Sequence, residues 1–304
     1  MNKYTKLLSV TLSVALGIIL IGAYIWYDPF IKDDTVSNEV SNISRPGGGK
    51  IIHLSIDDVE SLFDLQHSEK YPTLFDHPFY SYLKSMHDKY GIKITLYTYA
   101  HLGKEKIGDI PQKYKEDFKE NSGWLRIGYH WIRPEFNNRI TVKDFEKGYK
   151  EVEDAVYNFA DSSVWSKTLR LHYFFAPDSL RNTLHNTNTL LCADDADRES
   201  YDLAPSENRL VQINGIIRKN NVKYIRTDLR LENKIQIKRY LKEQLNKDTL
   251  VIFTHEWALT PQSFPTIVRK ILTMKPQLNF WTRHNLEQTL EWVKEHDYNY
   301  SFLE

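Results

Sequence analysis

Three kinds of hydrophobic pattern follow one another along the chain. From Leu7 to Tyr27 apolar and small residues run for 21 positions without a charge, preceded by Lys3 and Lys6 and closed by Asp28. A helix of that length spans the ~30 Å hydrocarbon core of a bilayer at ~1.5 Å per residue. Trp26 and Tyr27 fall where an interfacial aromatic belt lies. The run is longer than the roughly 7–15 residues of a secretory signal, and no small-x-small cleavage site follows it. The expectation over a cleaved signal peptide is therefore an uncleaved, single-pass transmembrane anchor in residues 1–27. Its lysines would stay cytoplasmic and the remainder would be extracytoplasmic, in a periplasm or at a cell surface. Residues 28–50 are polar, lack a period and end in Arg45-Pro46-Gly47-Gly48-Gly49, which reads as a flexible linker.

From Ile51 to Glu304 short apolar or alternating runs alternate with stretches of 3.6-residue period. The runs Ile51–Ile56, Ile92–Tyr99, Trp124–Tyr129, Leu169–Phe174, Leu190–Ala193, Val222–Arg226 and Leu250–Thr254 predict strands. Val142, Phe145, Tyr149, Val152, Val156 and Phe159 predict a helix over Thr141–Ala160, with Thr141 and Asp144 as its capping signal. A second helix is expected from Thr260-Pro261, burying Phe264, Ile267, Val268, Ile271 and Leu272, and a third around Asn285–His296. Strands alternating with helices imply an α/β domain with a parallel sheet. An open doubly wound sheet and a closed barrel both fit that order, but no Gly-rich phosphate loop follows the first strand. The fold expected for residues 51–304 is a distorted parallel (β/α) barrel of about seven strands, in one domain of ordinary barrel length.

Charge and composition narrow the function. Forty Lys and Arg balance 40 Asp and Glu, which argues against a nucleic-acid partner, since that needs a basic face. The sole cysteine, Cys192, excludes an intramolecular disulfide and a Cys-rich zinc module. Aromatic residues make up 13% of the chain, enough to leave some rings for sugar stacking after the core is filled.

Candidate chemistry sits where strands end. The first strand ends Ser55-Ile56-Asp57-Asp58, the third Ile127-Gly128-Tyr129-His130-Trp131 and the last Phe253-Thr254-His255-Glu256-Trp257. In a barrel these carboxyl ends share one mouth, where active sites assemble. Each element has a plain structural reading: an Asp that caps a turn, or a hydrogen-bonded core His. Taken jointly, the carboxylates and imidazoles suit a divalent metal held by oxygen and nitrogen, with a position open for water. Asp194, Asp195, Asp197 and Asp228 follow other strands and read equally well as solvated loop residues or as support for a ligand.

Ser55-Ile56-Asp57-Asp58 resembles the Thr-Phe-Asp-Asp signature of the polysaccharide deacetylases, the NodB-homology fold of carbohydrate esterase family four. Lys89–Tyr97 is similar to the helix end and second strand that follow it there. Gly128-Tyr129-His130 resembles the start of that family's His-x-x-x-His motif, and Thr254–Trp257 the late strand that presents its catalytic His. The resemblance implies a distorted parallel barrel. It also implies Asp57 as general base, Asp58 and His130 as ligands of a divalent metal, expected to be zinc, and His255 as the acid that protonates the leaving group. Two motifs depart. The second His of His-x-x-x-His would fall on Pro134, so Glu135 is expected to supply the missing ligand, with His172 a second candidate that reads better as a polar interior residue. The Arg that precedes a Pro in the third motif would fall near Pro177, where Phe175 stands instead, and Arg170 lies further back along the strand. Trp131 and Trp257, next to the site histidines, are the expected substrate-stacking rings.

The leading expectation is a membrane-anchored, metal-dependent hydrolase that removes acetyl groups from an N- or O-acetylated extracytoplasmic glycan. A catalytically silent carbohydrate-binding protein of the same fold is one rival, motivated by Pro134 and Phe175. A glycosidase that pairs Asp57 with Glu135 or Glu256 is another.

Overall fold

The computed structural model describes residues 49–304 apart from 68, 136, 138, 177–188, 195–199, 202, 220–221, 261–279 and 304. The expected transmembrane segment, almost all of the linker and the helix expected from Pro261 therefore lie outside the described residues. Among those described, no helix is long and apolar enough to cross a membrane.

The elements are β1 (Ile51–Val59), α1 (Pro78–Tyr90), β2 (Ile94–Tyr99), β3 (Leu125–Trp131), α2 (Val142–Phe159), β4 (Thr168–Leu169), β5 (Thr189–Leu191) and α3 (Pro205–Asn214), then β6 (Ile216–Lys219), β7 (Val222–Ile225), β8 (Leu229–Arg230), β9 (Thr249–His255), α4 (Phe280–Glu295) and β10 (Asn299–Tyr300). β1 lies between β9 and β2, β3 follows β2, and β8 flanks β9, all parallel. A second sheet carries β4, β5 and β7 in parallel, with β6 antiparallel to β7. One parallel bridge, Ile127 to Trp165, joins β3 to the approach of β4. On the other side the chain leaving β7 runs on into β8, and Asp228 N, just before it, donates to Val251 O of β9 at 2.8 Å. The strands thus succeed one another around a ring in chain order. The expected barrel-like α/β domain with parallel strands is present, its strands divided between two sheets that meet through isolated contacts.

Alternation along β1 separates two environments, as the two-residue period of a strand requires. Ile52, Leu54 and Ile56 join the large cluster beneath the helices. His53, Ser55 and Asp57 occupy the other face and are buried too. They pair across the ladder with Val251, Phe253 and His255, and Val251 belongs to a small inner cluster with Tyr97, Leu191 and Ile225. α2 forms where its period predicts: Thr141 Oγ1 accepts from Asp144 N at 3.2 Å, and Phe145, Val152, Val156 and Phe159 are buried. Leu169–Phe174 departs from expectation. The strand stops at Leu169, and His172–Phe174 forms a tight helical turn with Tyr173 and Phe174 both at φ 55°. That turn swings His172 out of the strand and over the mouth of the ring.

Candidate metal centre

The site begins with a break in β1. Asp58 has φ 55°, the left-handed region that a residue with a Cβ rarely adopts. The pairing of β1 with β2 shifts register between Ile56 and Val59. Neighbouring side chains of a regular strand point to opposite faces, and an irregularity here re-aims one of them. Asp57 and Asp58 accordingly line the same cavity, of about 210 Å³, together with His130, His172, Arg230, His255 and Trp257.

Asp58, His130 and His172 converge. His130 Nε2 lies 3.2 Å from Asp58 Oδ1, His172 Nδ1 lies 3.3 Å from the same oxygen, and the two nitrogens are 3.1 Å apart. The opposite ring nitrogens fix the tautomers. His130 Nδ1 faces the Arg170 carbonyl at 2.5 Å and His172 Nε2 faces the Pro134 carbonyl at 3.0 Å. A carbonyl only accepts, so each of these nitrogens carries the proton. In its neutral form each ring turns a lone pair toward the carboxylate oxygen. Three electron-rich atoms facing one another inside a largely buried site repel unless a cation or proton lies among them. These are the donor types and the backbone-anchored imidazoles of a transition-metal site. Ligands about 2.1 Å from one ion and about 100° apart would be spaced as these are. Among the described residues this is the set of His, Cys, Asp and Glu side chains arranged to hold a metal. Burial opposes charge on both sides of the His130–Asp58 contact. With a proton on His130 Nε2 in place of a metal, its hydrogen bond and attraction to Asp58 outweigh burial and raise the His130 pKa, while His130 and His172 together hold Asp58 well below the usual carboxylate range.

Asp57 is 2% exposed, and its Oδ1 lies 3.4 Å from Arg170 Nε. Burial pushes its pKa up, against the opposing pull of the Arg170 charge. Arg170 is itself fully buried, donates from Nη1 to Thr227 Oγ1 at 2.8 Å and stacks its guanidinium 4.3 Å over the Phe253 ring. Across the cavity His255 Nδ1 lies 2.5 Å from Glu232 Oε1. Glu232 also accepts from Arg230 Nε at 2.6 Å and from Thr254 Oγ1 at 2.9 Å. Burial raises the Glu232 pKa, but His255 and Arg230 more than offset this and keep it below the ordinary value. As an anion it accepts the Nδ1 proton of His255, whose Nε2 is turned into the cavity, 3.8 Å from Asp58 Oδ2.

Asp57, Asp58, His130, His255 and Trp257, singled out in the sequence, meet in this one cavity. Glu135 does not. It lines a separate cavity with His101, Arg133, Lys147 and Glu151, and the side chain that lies beside Asp58 and His130 is His172. The correction has a simple cause: the chain after β3 turns at Pro134, whose carbonyl receives the His172 proton in place of a side chain reaching inward. Trp131 is corrected as well. It is 1% exposed, packs against Phe145 and Phe175 and offers no ring face to a ligand. Trp257 is 44% exposed and stacks on His255 with ring centroids 5.1 Å apart. Glu256 accepts from Glu60 N at 2.9 Å, Ser61 N at 3.1 Å and Ser61 Oγ at 2.5 Å, which occupies it as a cap. Asp228 is bound to Arg226, Lys247 and Val251 N. Asp195, Asp197 and Pro177 lie outside the described residues. The sequence reading passed over Arg170 as a partner of Asp57, and over Glu232 and Tyr99 altogether. The one available signal was Arg170 two positions before His172 on a short apolar strand.

No protein-family model matches the sequence, and no curated protein matches it significantly. Among solved structures, the catalytic domain of a peptidoglycan N-acetylglucosamine deacetylase from Eubacterium rectale is 13% identical, with a TM-score of 0.41 over 91% of this chain and 94% of that one. A CE4 family pseudoenzyme from Bacillus anthracis is 9% identical, with a TM-score of 0.36 over 84% of this chain and 64% of that one. A 4-alpha-glucanotransferase from Thermococcus litoralis is 10% identical, with a TM-score of 0.48 over 84% of this chain and 39% of that one. None of these likenesses is close enough to assign a family or an activity.

Proposed function

We propose that the chain is a membrane-anchored, metal-dependent hydrolase that removes acetyl groups from an N- or O-acetylated extracytoplasmic glycan. One observation carries the reading: two imidazoles, each with its other N–H committed to a backbone carbonyl, point their second nitrogens at the same carboxylate oxygen. Asp58, His130 and His172 are the ligands proposed for a divalent ion, zinc in the first instance. When bound there, such an ion supplies a Lewis acid that polarises the acyl carbonyl and acidifies water.

The other residues divide the proton chemistry. Asp57, whose pKa is raised by burial, takes a proton from water as the water oxygen bonds to the acyl carbon. Arg170 holds that carboxylate in place and offsets its charge. His255, in its imidazolium form steadied by Glu232, protonates the leaving nitrogen or oxygen as its bond to the acyl carbon breaks. Trp257 and the half-exposed Tyr173 flank the mouth and offer ring faces to a sugar. The acetylated glycan follows the resemblance of Ser55–Asp58 and Gly128–His130, and the anchor follows the uncharged run Leu7–Tyr27. A two-carboxylate glycosidase is not favoured, because neither Glu135 nor Glu256 lines the cavity that holds Asp57.

The test is acetate release from acetylated glycan by the full chain, recovered from the membrane fraction. Release that needs divalent ion and falls by at least about 100-fold in Asp58→Ala supports the reading. Chelator-indifferent glycan binding without acetate refutes it, and recovery in the soluble fraction alone refutes the anchor.

A further inference from the structure

We propose that Tyr99 and Trp257 are positioning residues for the cation, holding Asp58 so that it meets the ion through Oδ1 alone. The inference rests on the metal reading above. Tyr99 ends β2 and is 1% exposed. Its hydroxyl donates to Asp58 Oδ1 and lies 3.4 Å from His172 Nδ1. Its ring stands edge-on to both imidazoles, with centroids 5.5 Å from His130 and 5.5 Å from His172. On the far side Trp257 Nε1 donates to Asp58 Oδ2 at 3.2 Å.

The two oxygens of Asp58 are therefore not equivalent. Oδ1 faces His130 Nε2 and His172 Nδ1 at 3.2 and 3.3 Å, while the imidazole facing Oδ2 is His255 Nε2 at 3.8 Å. Each carboxylate oxygen has two in-plane lone pairs. Tyr99 occupies one on Oδ1 and leaves the other to the metal; Trp257 draws Oδ2 toward the acid side of the cavity. Turning the carboxylate to chelate through both oxygens would break both hydrogen bonds. Control from outside is needed here because Asp58 sits at a left-handed break in β1, where the ladder does not fix its direction. Tyr99 comes from one neighbouring strand of β1 and Trp257 follows the other, so the two clamp Asp58 across that break.

The experiment compares zinc affinity, by competition with a chromophoric chelator, in the full chain and in Tyr99→Phe, Trp257→Phe and Tyr129→Phe. Tyr129 is a control: its buried hydroxyl has no hydrogen-bond partner among the described residues, and its ring packs on Phe145 and Tyr149 of α2. Tyr99→Phe is expected to bind zinc about 10–100-fold more weakly, the loss typical of removing a partner from a ligating side chain. Trp257→Phe, at an exposed position, is expected to lose less, and Tyr129→Phe nothing. If Tyr99→Phe does not fold, Trp257→Phe decides. Equal affinity in the parent and in the folded variants overturns this inference alone. A visible tyrosinate band on iron(III) loading that vanishes in Tyr99→Phe overturns it too, because the oxygen would then be a ligand. A parent chain that binds no zinc overturns the metal reading and this inference with it.

Discussion

Glu232 shows how much a single buried carboxylate decides at this site. It accepts from His255, Arg230 and Thr254 at once, so it sets the tautomer and orientation of His255. In Glu232→Gln the ring keeps an acceptor and loses the charge. The expected outcome is a kcat lower by about 10–100-fold. An unchanged kcat in steady-state kinetics would count against the acid role of His255. Asp57, Asp58, His130 and His255 were legible because carboxylates and imidazoles at strand ends are costly unless used. Glu232 was not, because it follows a two-residue strand that carries no alternation to read. His172 and Arg170 were misjudged for a related reason: a chain that leaves its strand after Leu169 no longer obeys the two-residue period by which side-chain directions were inferred.

Elements were read best where a periodic pattern is long. Val142–Phe159 matches its expected span to within a residue at each end, since six apolar positions and a Thr141 cap agree. The strands Leu229–Arg230 and Asn299–Tyr300 were missed, being too short to show a pattern. A testable consequence at this scale concerns the short helical turn Ser61–Asp64, whose start is held by a buried carboxylate from another element. Burial raises the Glu256 pKa from 4.5 to about 7, although its hydrogen bonds to Ser61 and Glu60 N oppose this. A carboxyl that binds its proton more tightly when folded adds stability in full below pH 4.5, and that stability is lost as pH rises through about 7. Glu256→Gln keeps the shape, and its amide can still accept from the two backbone N–H groups and donate to Ser61 Oγ. The variant should melt above the parent at pH 8, by up to about 3 kcal/mol at ~1.36 kcal/mol per pKa unit, with no advantage at pH 4. A variant less stable than the parent at pH 8 would show that the ionised cap is itself stabilising.

At the scale of the whole molecule, the ring of strands matters because it places residues far apart in sequence beside one another. Asp57 stands opposite His255 on the paired strands β1 and β9, and His172 reaches over from the far sheet to meet His130. Strand order was readable from the alternation of elements, whereas register and the split into two sheets depend on long-range pairing that no local pattern encodes. The central claim is that this closure gathers a cation among Asp58, His130 and His172. Bound zinc per chain, measured by elemental analysis after dialysis, tests it most directly in the parent, His172→Ala and Glu135→Ala. The account predicts about one ion per chain in the parent and in Glu135→Ala, and none in His172→Ala. A parent without zinc, or an ion that survives loss of His172 and disappears with Glu135, would contradict it.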